Sequence, residues 1–349
     1  MDIYDLVKDE ERVSFIGMCK NAGKTTVLNE VIKKLHENEE SILLTSIGRD
    51  GEELDLVTNT KKPEIYIYKD DYIATARDLI KYCDITKEIV ESTGIYTPLG
   101  EIIIIKALSD GFVQIAGPSI TTQMATVCES FKKYSKGKIL IDGALERKSI
   151  ATGKVSNVAI LSSGASYSVD MEKTVRDTIY TSMLFSLPEY KLLLPNDFNR
   201  EDYSDKYYII EGNTIKKSDK KIDLREVWAK ESEIESIFVN GALSDAMINS
   251  LLLSNAKLDG KRLVFFDGSR ILIKYENFEK LRQRGLVFSC IDTINIVAIT
   301  INPFSAYGHH YDSEKFLEYM QKCTDLPVIN IESKYRGWYG LLAKRKYRF

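Results

Sequence analysis

Short, continuous apolar runs alternate along this chain with longer segments in which apolar residues recur every three or four positions. RVSFIG (12–17) reads as a buried strand, and TTVLNEVIKKLHEN (25–38) as a helix with Val27, Leu28, Val31, Ile32 and Leu35 on one face. SILLTS (41–46) is a second strand, ending in the loop IGRDGEELD. PEIYIY (63–68) and EIIIIKAL (101–108) follow as strands, with a helix expected over YIATARDLIKYC between them. FVQIAG (112–117) comes next, a helix around QMATVCESFKKY, then the strands KILIDG (138–143) and NVAILSSG (157–164). The rhythm is that of a parallel sheet with helical crossovers. EIIIIKAL and FVQIAG, separated only by SDG, are expected to form a local hairpin on that sheet.

LLLPNDFNREDYSDK (192–206) is rich in Asn, Asp and Pro and reads as a connector. Beyond it the alternation resumes with IESIFVNGAL, a helix from Asp245, KRLVFFDGS, the helix ENFEKLRQRG, NIVAITINP and LPVINIES. The expected organisation is therefore α/β throughout: a nucleotide-binding domain over 1–200 and a second α/β domain over 201–349, given a partner-binding or regulatory role. Composition agrees with an ordinary globular chain, at 44% apolar and 28% charged residues. A net charge of −3 gives no electrostatic footprint for nucleic acid or an anionic membrane. No run approaches the roughly 18 apolar residues of a membrane span. The acidic, amphipathic opening MDIYDLVKDEERVSF is unlike a secretory signal. The five cysteines are scattered, which suits reduced thiols in the cytoplasm.

One stretch announces chemistry: GMCKNAGKTT (17–26) lies between the first strand and the first helix. A phosphate loop needs inward-turned backbone N–H groups, a lysine for the β/γ-phosphates and a hydroxyl on Mg2+ at a helix start. Gly23, Lys24 and Thr25 supply these in order, with Gly17, Asn21, Ala22 and Thr26 completing the expected cradle. This context predicts a P-loop NTPase with a mostly parallel sheet flanked by helices. Met18 stands where the usual spacing puts a glycine, so the loop is one residue longer than usual. That spacing resembles dethiobiotin synthetase-type loops, and KNAGKTT resembles the loop of MobB-like nucleotide-binding proteins.

Two carboxylates are candidates to complete the site. Asp142 ends the strand KILID, as a carboxylate holding Mg2+ directly or through water would. Asp50, in SIGRDGEE, follows the second strand and could orient a water or hydroxyl or bind metal, with Arg49 neutralising charge in phosphoryl transfer. Turn chemistry accounts equally for the RDG phrase. GPSITTQ (117–123) and SSGAS (162–166) follow strand ends and could face an anion, base or ribose. His309 and His310 are adjacent and lack a nearby third metal ligand, so their phrase NPFSAYGHHYD is read as a ligand or partner surface. The Asn-Lys-x-Asp phrase for guanine is missing, which favours ATP.

KNAGKTTVLN, TSIGRDGE, the GPS phrase, LIDGALERKS and INPFSAYG are together similar to the P-loop subunit of reactivating factors for adenosylcobalamin-dependent lysine 5,6- and ornithine 4,5-aminomutases. The resemblance spans most of the chain and implies an ATPase that ejects damaged cobalamin from an inactivated mutase. Its implied partners are the aminomutase and a second reactivase subunit; a homo-oligomer is left open. On that resemblance Lys24 and Thr25 hold phosphate and Mg2+, Asp142 is metal-linked and Asp50 serves the hydrolytic step. The Asp-x-His-x-x-Gly phrase of base-off cobalamin domains is absent, which suits a protein that acts on a cobalamin enzyme without holding the cofactor. The rival expectations are an ATP-dependent small-molecule ligase or kinase, with Arg49, Asp50 and Glu52 lining an acceptor pocket, and a MobB-like nucleotide-gated binding module.

Overall fold

A computed structural model describes residues 2–47, 65–143, 155–195, 207–217 and 234–331, together with Phe198, Leu224 and Trp228. Its chain order begins β1 (Arg12–Gly17), α1 (Lys24–Glu37), β2 (Ile42–Ser46), β3 (Ile65–Ile67) and β4 (Tyr72–Ala76). It continues β5 (Lys87–Thr97), β6 (Gly100–Ala107), β7 (Gly111–Val113), α2 (Thr121–Phe131), β8 (Lys138–Asp142), β9 (Val158–Gly164) and α3 (Met171–Phe185). Next come β10 (Tyr207–Glu211), β11 (Thr214–Lys217), β12 (Ser236–Val239), β13 (Leu243–Ser244), α4 (Asp245–Leu253), β14 (Arg262–Phe265), β15 (Ile271–Leu272), α5 (Tyr275–Gln283) and β16 (Val287–Cys290). β17 (Ile296–Asn302), α6 (Ser313–Lys322) and β18 (Val328–Asn330) follow.

The chain divides into two units, one of Met1–Ile179 with Asn295–Phe349, the other of Tyr180–Ile294. The first is built on a nine-stranded, mostly parallel sheet in the order β18-β17-β9-β1-β8-β2-β4-β6-β5, flanked by helices. Only the β4–β6 and β6–β5 pairings are antiparallel. Its central strands are continuous apolar runs because both faces are covered. Ile42, Leu44, Leu140, Ile103 and Ile105 share one core with Val27, Leu28, Val31, Ile32 and Leu35 of α1. The alternate residues Leu43, Ile139, Ile141, Ile102 and Ile104 share another with Met124, Val127 and Phe131 of α2. Side chains of a strand point alternately to opposite faces, so these two sets need helices on both sides.

Two local expectations are corrected. YIATARDLIKYC is not a helix: its first half is β4, followed by 3-10 turns over Arg77–Tyr82. Ile73 enters the core under α1 while Ala74 and Ala76 enter the one under α2, a period of two imposed by pairing between β2 and β6. The alanines' helical preference yields to that burial. Nor do EIIIIKAL and FVQIAG pair with each other. β6 pairs with β4 and β5, whereas β7 pairs with β3 in a separate two-stranded sheet. The SDG turn is held elsewhere, since Asp110 accepts a hydrogen bond from the Lys69 N–H at 2.8 Å.

The second unit has a five-stranded sheet in the order β11-β10-β12-β14-β16, with β12, β14 and β16 parallel and the β10–β11 hairpin at one edge. Its core packs Ile237, Val239, Leu263, Phe265 and Phe288 against Ile248 and Leu251 of α4 and Phe278 and Leu281 of α5. The division differs from the expected 1–200 and 201–349. Within the connector, Leu193 bridges Thr214 and Leu192 packs in a core with Phe238, so that stretch already belongs to the second unit. NIVAITINP returns to the first sheet as β17, parallel to β9, and brings β18 with it. An apolar strand carries no mark of which sheet it joins, so the return is invisible in the pattern alone.

Candidate functional site

β1 sits between β8 and β9 and delivers Gly17 to the carboxyl edge of the parallel strands. The chain then turns through 18–23 and enters α1 at Lys24. Asn21 (φ 60°) and Gly23 (φ 98°) take left-handed conformations in that turn. Asn tolerates this region and Gly occupies it freely. A Cβ on Gly23 would in addition run into Cδ1 of Ile331. The first turn of α1 has no side-chain cap and no acidic residue. A helix start ordinarily favours carboxylates and disfavours a cation. A lysine there, with the caps missing, is the arrangement expected where an external anion is to satisfy the free N–H groups.

Lys24 leans back across the start of the loop, its Cγ and Cδ 3.0 Å from where a Gly17 Cβ would stand. Its ammonium donates a hydrogen bond to the Gly143 carbonyl and lies 3.8 Å from Asp142 Oδ1. Asp142 is held in register between Phe15 of β1 and Ser46 of β2, and its carbonyl accepts from the Ile47 N–H at 2.8 Å. The Oδ1 atom is buried and accepts no hydrogen bond among the described residues. A carboxylate oxygen so placed is a fit for a cation, either the lysine or a metal.

The structure therefore brings Gly17, Asn21, Ala22, Gly23, Lys24, Thr25 and Thr26 together with Asp142 at one edge of the sheet. Arg49, Asp50 and Glu52 lie outside the described residues. The last described residue before them, Ile47, is the one bonded to Asp142.

Residues of the other candidate phrases also make internal hydrogen bonds. Ser162 is fully buried, its hydroxyl accepting from Thr300 at 2.9 Å, and its carbonyl accepts from the Met18 N–H at 2.8 Å. Ser163 bonds Thr178 at 2.6 Å. The GPS phrase is tied to β2 by the Gly117 N–H, which donates to the Ser46 hydroxyl at 3.0 Å. His309 Nε2 donates to the carbonyls of Ala165 at 2.7 Å and Ser168 at 3.1 Å, so that nitrogen is committed to holding the loop. His310 stacks on Phe304 at 6.3 Å, and no cluster of three or more metal-ligating side chains occurs among the described residues.

Asn302 and Ile331 are the residues that motif reading missed. Asn302 Nδ2 donates to the Asn21 carbonyl at 3.3 Å, its Oδ1 accepts from the Phe304 N–H at 3.0 Å, and its carbonyl accepts from the Ala165 N–H at 2.9 Å. It thus pins the left-handed corner of the loop to the ends of β9 and β17. The phrase INPFSAYG contains it, but only the pairing of β17 with β9 puts it beside a loop 281 residues earlier.

Cys19 lies within the loop, and burial pushes its thiol up to about 11. Thiolate then forms only as the pH nears that value, leaving about a hundredfold fewer nucleophiles at neutral pH than an unshifted thiol would have. Iodoacetamide at pH 7.5, followed by peptide mass mapping, is expected to modify the exposed Cys323 well before Cys19. Cys19 modified as fast as Cys323 would show a reactive thiol in the loop.

No family model, curated protein or solved structure matches the chain. No helix among the described residues is long and apolar enough to cross a membrane.

Proposed function

We propose that the first unit is a P-loop NTPase domain and that the protein is an ATP-binding, ATP-hydrolysing reactivase subunit, cytoplasmic, which restores a cobalamin-dependent aminomutase by driving exchange of damaged cofactor. One observation carries the nucleotide half of this reading: an uncapped helix start whose lysine lies across Gly17 and faces a carboxylate on the neighbouring strand, with a buried oxygen that accepts no hydrogen bond among the described residues. The resemblance of the five phrases carries the reactivase half.

In this reading the N–H groups of residues 21–26 cradle the phosphates and Lys24 reaches the β- and γ-phosphates. The Thr25 hydroxyl and Asp142 would hold Mg2+, which neutralises charge developing on the phosphates. Asp50 orients the attacking water and Arg49 balances charge on the leaving oxygen. Asn302 keeps the Asn21 corner in its left-handed shape, so the loop need not be ordered by the ligand. A reactivase must prefer its partner in one nucleotide state, because a ligand shifts an equilibrium only by its differential affinity.

The test is ATP turnover by the purified protein alone, with an inactivated aminomutase and the second reactivase subunit, and with small organic acids or amines. Stimulation by the mutase, with release of its damaged cobalamin, is the expected outcome. Turnover that instead requires a small acceptor would assign a ligase or kinase. Tight nucleotide binding with neither stimulation would leave a nucleotide-gated binding module.

A further inference from the structure

We infer that Asp142 is a latch on Lys24 that makes nucleotide binding conditional on Mg2+. The inference rests on the phosphate-loop reading above. The backbone of Asp142 is fixed by parallel neighbours on both sides, which holds its carboxylate at the loop end of the strand. Its Oδ1 is buried and accepts no hydrogen bond among the described residues, so a cation close by is its natural partner. In this structure that cation is Lys24, at 3.8 Å and also bonded to the Gly143 carbonyl.

Lys24 is the group a triphosphate needs. Its aliphatic stem is packed across Gly17, so the ammonium can swing about the outer bonds while the stem stays in place. A metal-free polyphosphate that draws the ammonium away strips Asp142 of its counter-charge and sets a second anion beside it. Both effects oppose binding, and at separations of a few ångströms they are large wherever water is partly excluded. A divalent cation arriving with the nucleotide replaces the ammonium at Asp142 and frees Lys24 for the phosphates. Cation exchange at one carboxylate thereby couples the two ligands, and the coupling is reciprocal. Asp142 acts here as a positioning residue, through Lys24.

The test compares dissociation constants of ATP in EDTA and in excess Mg2+ for the wild-type chain and for Asp142→Asn, which keeps shape and removes charge. In the wild type, Mg2+ is expected to tighten ATP on the order of 30-fold, within the usual range of such couplings. In Asp142→Asn the metal-free affinity should rise by about tenfold, and the Mg2+ effect should shrink to roughly threefold or less. Asp142→Ser, which also removes the charge, should move the metal-free constant in the same direction. Loss of one carboxylate ligand alone would weaken the Mg2+ complex without strengthening the metal-free one. The latch is therefore overturned if both variants bind metal-free ATP no better than the wild type. A wild-type chain that binds Mg2+–ATP while the variants fail this way refutes the latch alone; one that binds no nucleotide with or without Mg2+ refutes the phosphate loop as well.

Discussion

Replacing Lys24 with alanine is expected to weaken ATP binding by at least about a hundredfold, roughly 2.7 kcal/mol, while changing folding stability by less than about 1 kcal/mol. The two effects separate because of where the side chain lies. Lys24 is 21% exposed, and among the described residues its ammonium meets the Gly143 carbonyl and Asp142. Neither contact joins core layers, so truncation costs the fold one partly hydrated ion pair and little packing. For a bound triphosphate the same truncation deletes a charge-assisted contact at the most anionic part of the ligand. Titration calorimetry with Mg2+–ATP and a thermal melt on the same sample decide the point. Unchanged affinity would show that the loop is not a phosphate site, whatever its shape.

Gly117→Ala is expected to be among the most damaging single substitutions in the first unit, costing about 3 kcal/mol or more. An added Cβ would fall on the Ser46 carbonyl oxygen and stand 2.9 Å from the Ser46 carbonyl carbon and from Thr45 Oγ1. Neither side can yield cheaply. Ser46 is in β2, paired on both flanks in the sheet, and the segment of Gly117 is stitched to β4. There the Ala76 N–H donates to the Ala116 carbonyl at 2.9 Å, and the Ala116 N–H to Thr75 Oγ1 at 3.1 Å. A shift of Gly117 would also break its own hydrogen bond to the Ser46 hydroxyl. At about 2–4 °C per kcal/mol for a domain of this size, the melting temperature should fall by about 6–12 °C. Gly94→Ala is the control: its φ is positive, 73°, but there is open space where its Cβ would go, so it should cost about 1 kcal/mol. Equal losses for the two would mean that the close approach of Gly117 to β2 is not rigid.

Much of the first unit was legible because its signals are local. RVSFIG, the loop and the helix after it succeed one another within 27 residues, so strand, turn and amphipathic face could be read in one window. KILID could be placed as a strand ending in a carboxylate for the same reason. The errors arose where local preference and tertiary pairing disagree. Ala74 and Ala76 look helical until β2 and β6 close around them, and an Asn/Asp/Pro-rich connector looks like a boundary until Leu192 and Leu193 are found in the second unit's core and strand network. Asn302 and Ile331 were beyond reach for a further reason. Their part in the loop comes from a strand order in which β17 lies beside β9, and strand order is a property of the folded sheet, with no trace in spacing along the chain.

The return of the chain to its first sheet after residue 294 has a consequence for how the molecule comes into being. A ribosome releases the GKTT turn early, but the amide that pins it and the isoleucine that packs on it emerge about three hundred residues later, after the whole inserted unit. Until then β9 has a bare flank, and the long loop closure that brings β17 home is the kind of step that slows folding. On the proposed phosphate-loop reading, nascent chains arrested before residue 295 should therefore hold nucleotide poorly.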